Sequence, residues 1–497
     1  MWKTKQNIRW GLALFFLCGL AITLRVVSIN SQSFWYDEAS SASLIQHSFE
    51  DLYFGNQKDH GHPPLYLLLL KCWSMAFGSS EVALRSLSIL FSFLAIPLLA
   101  SLGRAIVSPF VGVVAALLFA ISSLQIELST EARPYALLHF LVIANAWLLL
   151  RWVKGHSNLS LLFYSLTLYF CLFTHYFSFL LPPLHFILLF FILRDSSVRR
   201  RNWILAFLFA GLLWLPWAPA FVAQLTTPGA LRGMDKSWYF QFLGTPVAFA
   251  LGRTLAWRDA ADWMLALAES FSILIFFYPA FEGLKAFKRD RFSQFFLGGW
   301  ALAPILVPLA MVLLAKPIYS HRYGTIGLPA WFLLVAVGLG VLPKKMRASL
   351  FAALVVSAGA AFYMYYTTPI RDDWRSASKY ILETSKAEEL LVFDSESDIV
   401  AFNFYSEKAG ASPHEIIGVL YSSLDHGIME GVKFEKGVRG AVTSRMGEVL
   451  AAPAFVLALC MPSHTGPEYG KFFQDRGYKL TSQQNFYRVS VLHFERE

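Results

Sequence analysis

Charged residues are scarce in this sequence: Asp, Glu, Lys and Arg supply 15% of its 497 positions, whereas 56% are hydrophobic and 16% are aromatic. So little polar material cannot cover the water-facing surface of a protein of this length. The composition therefore excludes an ordinary soluble enzyme and indicates that lipid is the solvent for most of the chain.

Cysteines and repeated segments are also few. The four cysteines have no pairing rhythm, and Cys18 and Cys171 fall inside apolar stretches, so neither a disulfide framework nor a zinc pattern is indicated. The sequence has no low-complexity region and no Gly-rich phosphate loop, and no internal repeat is visible in it. The inverted repeat that would suggest a secondary transporter is therefore not apparent.

The basic balance, a formal net charge of +9, does not indicate a nucleic-acid partner. The basic residues lie in short clusters between apolar stretches, where they orient helices against a membrane. From Ile370 onward the chain has 14 Lys and Arg against 18 Asp and Glu, so the positive excess belongs to the part before it.

Apolar runs of about 17 to 25 residues predict eleven transmembrane helices. The predicted spans are residues 10–29, 84–106, 108–126, 134–153, 158–175, 176–194, 203–223, 263–285, 293–314, 325–342 and 347–366. The basic N-terminus and the apolar run 10–24 could also be a signal peptide. No small-residue cleavage site follows the run, so we expect an uncleaved first helix.

Lys and Arg are distributed unevenly between these spans, which predicts the orientation of the chain. With a cytoplasmic N-terminus, the cytoplasmic turns contain Arg104, Arg151, Lys154, Arg194, Arg199, Arg200, Arg201, Lys285, Lys288, Arg289, Arg291, Lys344, Lys345 and Arg347. The opposite turns contain chiefly Lys58, Arg133, Lys316 and Arg322. By the positive-inside rule, an odd number of spans then places the C-terminal part outside the cytoplasm.

The predicted fold is a polytopic α-helical membrane protein, residues 1–369, followed by an extracytoplasmic α/β domain, residues 370–497. Strand-like runs at 389–393, 454–460 and 486–494 and a helix-like stretch at 469–476 predict the α/β domain. The outer loops 30–83 and 224–262 are long enough to hold structure. Within them, the stretch 63–77 is predicted to be an interfacial or re-entrant helix, and the similarly aromatic stretch 238–257 is predicted to lie along the membrane interface as well.

The segment FWYDE, residues 34–38, places the adjacent carboxylates of Asp37 and Glu38 just outside the first predicted span. An acid at the membrane edge is a candidate functional residue. The alternative is an interfacial aromatic pair followed by a solvated loop acid.

The segment HGHPPLY, residues 60–66, contains two prolines that rigidify the entry to a short apolar run and place His62 at its start. The alternative is an ordinary helix start with surface histidines. Asp59, His60 and His62 could also bind a metal, but three such residues in one loop are a weak ligand pattern.

Polar residues recur at three further outer helix ends. They are Glu131, Arg133 and Tyr135 in the segment 127–135, His175 in the segment 174–177, and His321 and Arg322 in the segment 319–324. A single arginine at a helix end usually extends to the interface. Arg133 and Arg322, however, lie on the side that is poor in cations, which favours anion binding there.

Together, these outer helix ends supply carboxylates, imidazoles and guanidinium groups on one face of the membrane. A carboxylate can act as a general base toward a hydroxyl group. Arg and His can bind a phosphate leaving group and offset the charge that it develops. The inventory is that of an enzyme, and it suits a lipid-phosphate substrate.

The order of these motifs resembles the GT-C membrane glycosyltransferases, and most of all the bacterial protein mannosyltransferase and aminoarabinose transferase type. The motifs are DE at 37–38, HPPLY, EVALRSLS, STEARPY, THYF, LPW at 215–217, HRYG and DDWR at 372–375. The resemblance runs along essentially the whole membrane part and is strongest between Trp35 and Tyr135.

This resemblance implies an inverting glycosyltransferase of the bacterial inner membrane. It would transfer a sugar from a polyprenyl-phosphate donor to an envelope acceptor, a protein, a lipid or a glycan, on the extracytoplasmic face. Asp37 would be the catalytic base, and Glu38 its support or an acceptor contact. His62 stands where some relatives have Lys and would face the donor phosphate, and Arg322 matches the outer arginine of the family.

The resemblance implies no cofactor and no nucleotide sugar, and it does not require a divalent metal. Glu131, Arg133, Tyr135, His175 and His321 are further candidates for donor or substrate binding. Three other functions stay open: a flippase or transporter for a lipid-linked glycan, a glycan ligase that uses a lipid diphosphate and a metal ion, and a receptor on a membrane anchor. The C-terminal domain would cap the site or recognise the acceptor.

Overall fold

The protein is described here from a computed structural model. The structure describes residues 2–54, 62–155, 157–193, 196–226, 238–252, 263–312, 321–386, 389–393, 396–410, 416–418, 446–460 and 466–497. By its internal contacts the chain divides into two compact units. Unit 1 consists of Met1–Ile29 and His47–Thr368, and unit 2 consists of Asn30–Gln46 and Pro369–Glu497.

In the residues that the structure describes, all regular secondary structure of unit 1 is helical. Its helices are α1 (Trp2–Ser28), α3 (Phe49–Phe54), α4 (Leu65–Phe77), α5 (Glu81–Ile106), α6 (Pro109–Ile121), α7 (Ser123–Ser129), α8 (Tyr135–Gly155), α9 (Asn158–Leu172), α10 (Leu181–Ile192), α11 (Ser197–Trp214), α12 (Ala218–Thr226), α13 (Trp238–Leu251), α14 (Trp263–Ala286), α15 (Arg291–Val312), α16 (His321–Gly324), α17 (Leu328–Val341) and α18 (Lys344–Thr367). Short 3-10 helices, Tyr176–Leu180, Leu215–Trp217 and Thr325–Gly327, lead into α10, α12 and α17.

Within the described residues, each of the eleven predicted spans overlaps one or more helices. Eight helical segments in the described part of the chain are long and apolar enough to cross a membrane, and a ninth is the pair α6 and α7. The other two predicted spans are the shorter apolar helices Asn158–Leu172 and Tyr176–Phe190. The predicted interfacial stretch 63–77 is also a helix, α4, and the stretch 238–257 is helical as far as Leu251, beyond which it leaves the described residues.

The predicted span 108–126 is not a single straight helix, because α6 and α7 are bent by 64° at Ser122. Ser122 has an extended backbone, with ψ of 121°, and its side chain accepts a hydrogen bond from the amide of Gln125 at 3.4 Å. A serine in this conformation ends one helix and caps the next. Because of this bend, the segment that follows, which contains Glu127 and Glu131, does not continue along the axis of α6.

Helices α8 and α17 form the interior of unit 1. In the most apolar stretches of Tyr135–Gly155 and His321–Val341, 72% and 83% of the residues are buried, against 22% in α1 and 17% in α18. The outer helices expose large apolar side chains such as Phe15, Phe16 and Val356. A water-soluble protein avoids such a surface, whereas lipid solvates it.

Two glycines allow α14 and α17 to pack backbone against backbone. A Cβ atom on Gly338 would overlap the carbonyl oxygen of Pro279, and one on Gly283 would overlap the carbonyl oxygen of Leu334. Small residues at helix crossings permit this close approach in membrane proteins. The crossing joins α14 to the interior helix α17.

Unit 2 is an α/β unit. It contains α2 (Tyr36–Leu44), α19 (Trp374–Thr384), α20 (Glu396–Ala409), α21 (Met446–Ala451) and α22 (Gly466–Gln474), together with the strands β1 (Leu390–Phe393), β2 (Ile416–Gly418), β3 (Ala454–Cys460), β4 (Tyr478–Phe486) and β5 (Val489–Arg496). The strand order in the sheet is β2-β1-β3-β5-β4. β1 pairs in parallel with β2 and β3, and β5 pairs antiparallel to β3 and β4.

The central strand β3 coincides with the predicted strand 454–460, and its side chains enter two cores on opposite faces of the sheet. Phe455 and Leu457 pack with Phe473 on one face, and Val456 packs with Trp374 on the other. A strand that is buried on both faces has a continuous apolar sequence. This is why the sequence pattern located β3 correctly.

The predicted strand 486–494 overlaps β5, but its predicted start lies three residues too early because the chain forms a hairpin there. β4 ends at Phe486, Tyr487 and Arg488 make the turn, and β5 begins at Val489. Arg488 has a φ of 59°, in the left-handed region that favours Gly or Asn. Neither Gly nor Asn marks this turn, so the sequence signal for a hairpin is missing.

Candidate active site

The predicted site residues fall into two groups, one in each unit. His62, Glu131, Arg133, Tyr135, His175, His321 and Arg322 belong to unit 1, and Asp37 and Glu38 belong to unit 2. Within unit 1, six of them form what we call the histidine–arginine cluster: His62, Glu131, Arg133, Tyr135, His175 and Arg322.

Backbone and hydroxyl hydrogen bonds bring the motifs of the cluster together. The amide of Leu65 donates to the carbonyl oxygen of Phe173 at 3.1 Å, which joins the start of α4 to the end of α9. The hydroxyl oxygens of Tyr66 and Ser88 lie 2.8 Å apart, and Ser88 donates to the carbonyl oxygen of Arg133 at 3.3 Å. These bonds hold His62 and Arg133 close to the same part of α5.

Two histidines pack together in the cluster. The ring centroids of His62 and His175 are 4.5 Å apart, and the ring of Tyr135 is 6.0 Å from the first and 5.9 Å from the second. Nδ1 of His175 accepts a hydrogen bond from the amide of Phe177 at 3.1 Å. A neutral imidazole with one nitrogen as acceptor carries its proton on the other. In its neutral form, His175 therefore has its N–H at Nε2.

The position of His62 disfavours its charged form. Burial lowers the pKa of His62 well below the ordinary value, and the positive charges of Arg133 and Arg322 lower this pKa further. Among the residues that the structure describes, Nδ1 of His62 has no hydrogen-bond partner. Without a bound anion, His62 is therefore a neutral ring at physiological pH.

The two arginines of the cluster are both buried, Arg133 at 6% and Arg322 at 7% exposure. Nη2 of Arg322 donates to Oε1 of Glu131 at 2.8 Å, and the Arg322 guanidinium lies 5.7 Å from the ring centroid of Tyr135. The positive charges of both guanidinium groups act on His62 and lower its pKa. An arrangement of this kind can bind an anion and stabilise negative charge that forms on it.

Two neighbours of Arg322, His321 and Tyr323, lie outside the six residues of the histidine–arginine cluster as defined above. His321 is buried at the start of α16. The ring of Tyr323 packs 5.3 Å from the ring of His175 and 4.9 Å from that of Phe177. Neither Tyr323 nor Ser88 was among the predicted site residues. Tyr323 follows the predicted Arg322 directly, and Ser88 is the last residue of the EVALRSLS motif.

The acidic pair of unit 2 lies in the first turn of α2. Glu38 is fully buried, and Oε2 of Glu38 lies 3.2 Å from Nη1 of Arg371. Asp37 is partly exposed, and its carbonyl oxygen accepts a hydrogen bond from the hydroxyl of Ser41 at 2.9 Å. A carboxylate in the first turn of a helix is stabilised by the helix dipole. Arg371 was not predicted, although it directly precedes the DDWR motif.

A metal site at Asp59, His60 and His62 was the alternative interpretation of the segment 60–66, and only His62 of these three lies in the described part of the chain. Asp59 and His60 are not described, and neither are the predicted outer lysines Lys58 and Lys316. Within the described ranges, no three or more His, Cys, Asp or Glu side chains lie close enough together to hold a metal ion.

Part of the sequence matches one family model. The family model described as dolichyl-phosphate-mannose-protein mannosyltransferase matches residues 61–219, which is less than half of the chain. This segment includes His62, Arg133 and His175. No curated protein sequence matches.

Solved structures match over nearly the whole chain. ArnT from Cupriavidus metallidurans in the apo state has a TM-score of 0.64 at 12% identity, with 96% of this chain and 97% of that chain covered. The same protein bound to undecaprenyl phosphate has a TM-score of 0.62 at 11% identity, with 97% of both chains covered. The oligosaccharyltransferase of Archaeoglobus fulgidus, tethered to an acceptor peptide, has a TM-score of 0.57 at 14% identity and covers 93% and 70%.

These matches confirm the fold class that the sequence predicted. The protein has the GT-C fold: a multi-pass helical membrane part followed by a small C-terminal unit that contains a β-sheet.

Proposed function

We propose that this membrane protein of GT-C fold is an inverting glycosyltransferase that uses a polyprenyl-phosphate sugar as its donor. The observation that carries the proposal is the histidine–arginine cluster, whose two guanidinium groups are buried at the ends of apolar helices. A buried cation next to an apolar surface suits a phosphate group that is attached to a lipid chain.

In the proposed reaction, Asp37 accepts the proton of an acceptor hydroxyl group while the hydroxyl oxygen attacks the anomeric carbon of the sugar. The bond between that carbon and the phosphate oxygen breaks, and its electron pair remains on the phosphate. The products are the inverted glycoside and polyprenyl phosphate. Since the phosphate gains one negative charge, Arg133 and Arg322 stabilise the leaving group more strongly than the bound donor.

Two findings on other proteins support this assignment of the donor. The family model that matches residues 61–219 describes transfer from dolichyl phosphate mannose to protein. ArnT, which shares the fold, has been solved with undecaprenyl phosphate. We further propose the inner membrane of a bacterium as its location, with a cytoplasmic N-terminus and an outward-facing site, from the distribution of Lys and Arg. The sugar and the acceptor are left open.

The test is an assay of polyprenyl phosphate release by the purified full-length protein in lipid vesicles. A panel of polyprenyl-monophosphate sugars serves as donors, and an extract of envelope material serves as the acceptor pool. We expect release from at least one donor, with a newly glycosylated acceptor and no loss of rate when a chelator is added. Release from diphosphate donors that stops with chelator would identify a metal-dependent ligase instead. Transfer of labelled lipid across the vesicle without release would identify a flippase.

A further inference from the structure

Helix α2, which carries Asp37, belongs to the same compact unit as the C-terminal part of the chain. Ala39 is fully buried in the core formed with Trp374, Ala377 and Ile381 of α19. The amide of Phe34 donates to the hydroxyl of Tyr405 at 2.7 Å. The helix is therefore packed as one of the elements of unit 2, although more than 300 residues separate it from α19 and α20.

The segment before α2 is joined to the segment before α19 by polar contacts. Oε1 of Gln32 accepts hydrogen bonds from the amides of Ile370 and Arg371 at 3.0 and 3.1 Å. The hydroxyl of Ser33 donates to the carbonyl oxygen of Asp372 at 2.5 Å. These bonds place Arg371 beside the first turn of α2.

Glu38 and Arg371 form a buried ion pair at this junction. Their side chains are 0% and 4% exposed, and the two atoms that face each other are 3.2 Å apart. Removing one partner of a buried pair leaves the other charge uncompensated in a medium of low dielectric constant, which is strongly unfavourable. The pair therefore restricts the rotation of α2 about its own axis.

This restriction sets the direction of Asp37. Successive residues of an α-helix point about 100° apart around the axis. When Glu38 points to Arg371 in the interior, the side chain of Asp37 is turned away from that interior, and it is partly exposed. The burial of Glu38 also disfavours a direct contact between its carboxylate and an acceptor.

We propose that Arg371 is a positioning residue: through its ion pair with Glu38 it holds α2 in the rotation that directs Asp37 toward the acceptor hydroxyl. This inference rests on the proposed function, in which Asp37 is the base. It adds that the C-terminal part of the chain is required for catalysis because it holds the base in place, independently of any recognition of the acceptor. Truncation after Tyr366 would not separate the two roles, so point variants are needed.

The experiment compares Arg371→Gln, Arg371→Lys, Glu38→Gln and the double variant Glu38→Gln/Arg371→Gln with the wild-type protein. Lys379→Gln is the matched control, because Lys379 forms an ion pair with Glu383 in the same unit but both side chains are mostly exposed. For each protein, kcat and KM for the donor are measured, together with the amount of donor bound at saturation. Bound donor reports the fraction of protein in which unit 1 is folded, since the histidine–arginine cluster is in that unit.

We expect Arg371→Gln and Glu38→Gln each to lower kcat by about 100-fold, the cost of a small misplacement of a catalytic group. KM and bound donor should stay at wild-type values. The double variant should be no slower than the worse single variant, because each change breaks the same pair. Arg371→Lys should recover part of the rate, and Lys379→Gln should match the wild type.

Wild-type kcat in both Arg371→Gln and Glu38→Gln, or single losses that multiply in the double variant, would overturn the inference while the proposed function stands. If Arg371→Gln is unfolded and therefore binds no donor, the kcat of the isosteric variant Glu38→Gln alone tests the inference: a wild-type value would overturn it. No transfer by the wild-type protein would refute the proposed function, and the inference with it.

Discussion

Nη2 of Arg322 lies 2.8 Å from Oε1 of Glu131, and the two side chains are buried at 9% and 0% exposure. The residues are 191 positions apart in the sequence, so the pair joins the turn before α8 to the start of α16. Glu131 therefore orients the Arg322 guanidinium and balances the charge of that group. Its replacement should affect stability and anion binding in opposite directions.

Glu131→Gln removes the charge that balances Arg322 and keeps the size of the side chain. We expect the unliganded protein to lose about 3 kcal/mol of stability, as for other broken buried pairs. A lipid phosphate can replace the missing negative charge, so it should raise the melting temperature more in this variant than in the wild type. Thermal unfolding with and without polyprenyl phosphate measures both effects.

The control for that variant is Glu282→Gln. Glu282 pairs with Lys285 at the same distance, 2.8 Å, but both side chains are partly exposed. Exposed pairs contribute roughly 0–1 kcal/mol, so little change is expected. If Glu131→Gln and Glu282→Gln lost the same amount of stability, the burial of the Glu131–Arg322 pair would not be the reason for its contribution.

Asp37→Asn should abolish transfer without weakening donor binding. The amide cannot accept the acceptor proton, and loss of a general base lowers rates by about 10²–10⁴-fold. Release of polyprenyl phosphate measures kcat, and equilibrium binding of labelled donor checks the fold. Glu50→Gln, an exposed acid in the first turn of α3, should have wild-type kcat. Normal turnover by Asp37→Asn would exclude Asp37 as the base.

His62 should make donor affinity depend on pH. Burial and the charges of Arg133 and Arg322 lower the pKa of His62 in the free protein, whereas a phosphate anion beside the ring would raise this pKa. Binding then takes up a proton, so donor affinity rises as pH falls through the pKa of His62 in the complex toward its lower pKa in the free protein. The donor is a phosphodiester, whose single negative charge does not change in this range.

The comparison for His62 is His62→Gln, which keeps a hydrogen-bond donor but cannot titrate. Its donor affinity should vary less with pH, while His175, present in both proteins, contributes equally to both curves. The same pKa shift affects stability: the folded pKa is depressed, so His62 destabilises the unliganded fold as pH falls below the ordinary value. Parallel affinity curves for the two proteins would exclude a titrating His62 at the phosphate.

Gly338→Ala should disrupt the crossing of α14 and α17. The added Cβ atom would overlap the carbonyl oxygen of Pro279, which cannot move without shifting the helix, and overpacking of this kind costs about 1–3 kcal/mol. Gly359→Ala in α18 is the control, since nothing lies within 4 Å of its added atom. Its stability should be unchanged or slightly higher, because Ala favours helix more than Gly. Equal melting temperatures would refute the close crossing.

The membrane helices could be predicted because each is a local feature of the sequence. A run of apolar residues long enough to cross lipid must form helix, since its backbone groups have no other partners there. The break at Ser122 was missed because the apolar run 108–126 continues through it. The hairpin at Arg488 was missed because its turn lacks the residues that usually mark one.

The sequence by itself determined which segments form the membrane helices, where the central strand of the sheet lies and which polar residues stand at helix ends. These properties depend on residues that are close in the chain. Only the tertiary structure decided that Glu131 pairs with Arg322 and Glu38 with Arg371, 191 and 333 positions apart. It also decided that α2 belongs to the C-terminal unit. An ion pair of two distant charges leaves no pattern in a single sequence, because the chain between them can bring many other charges together.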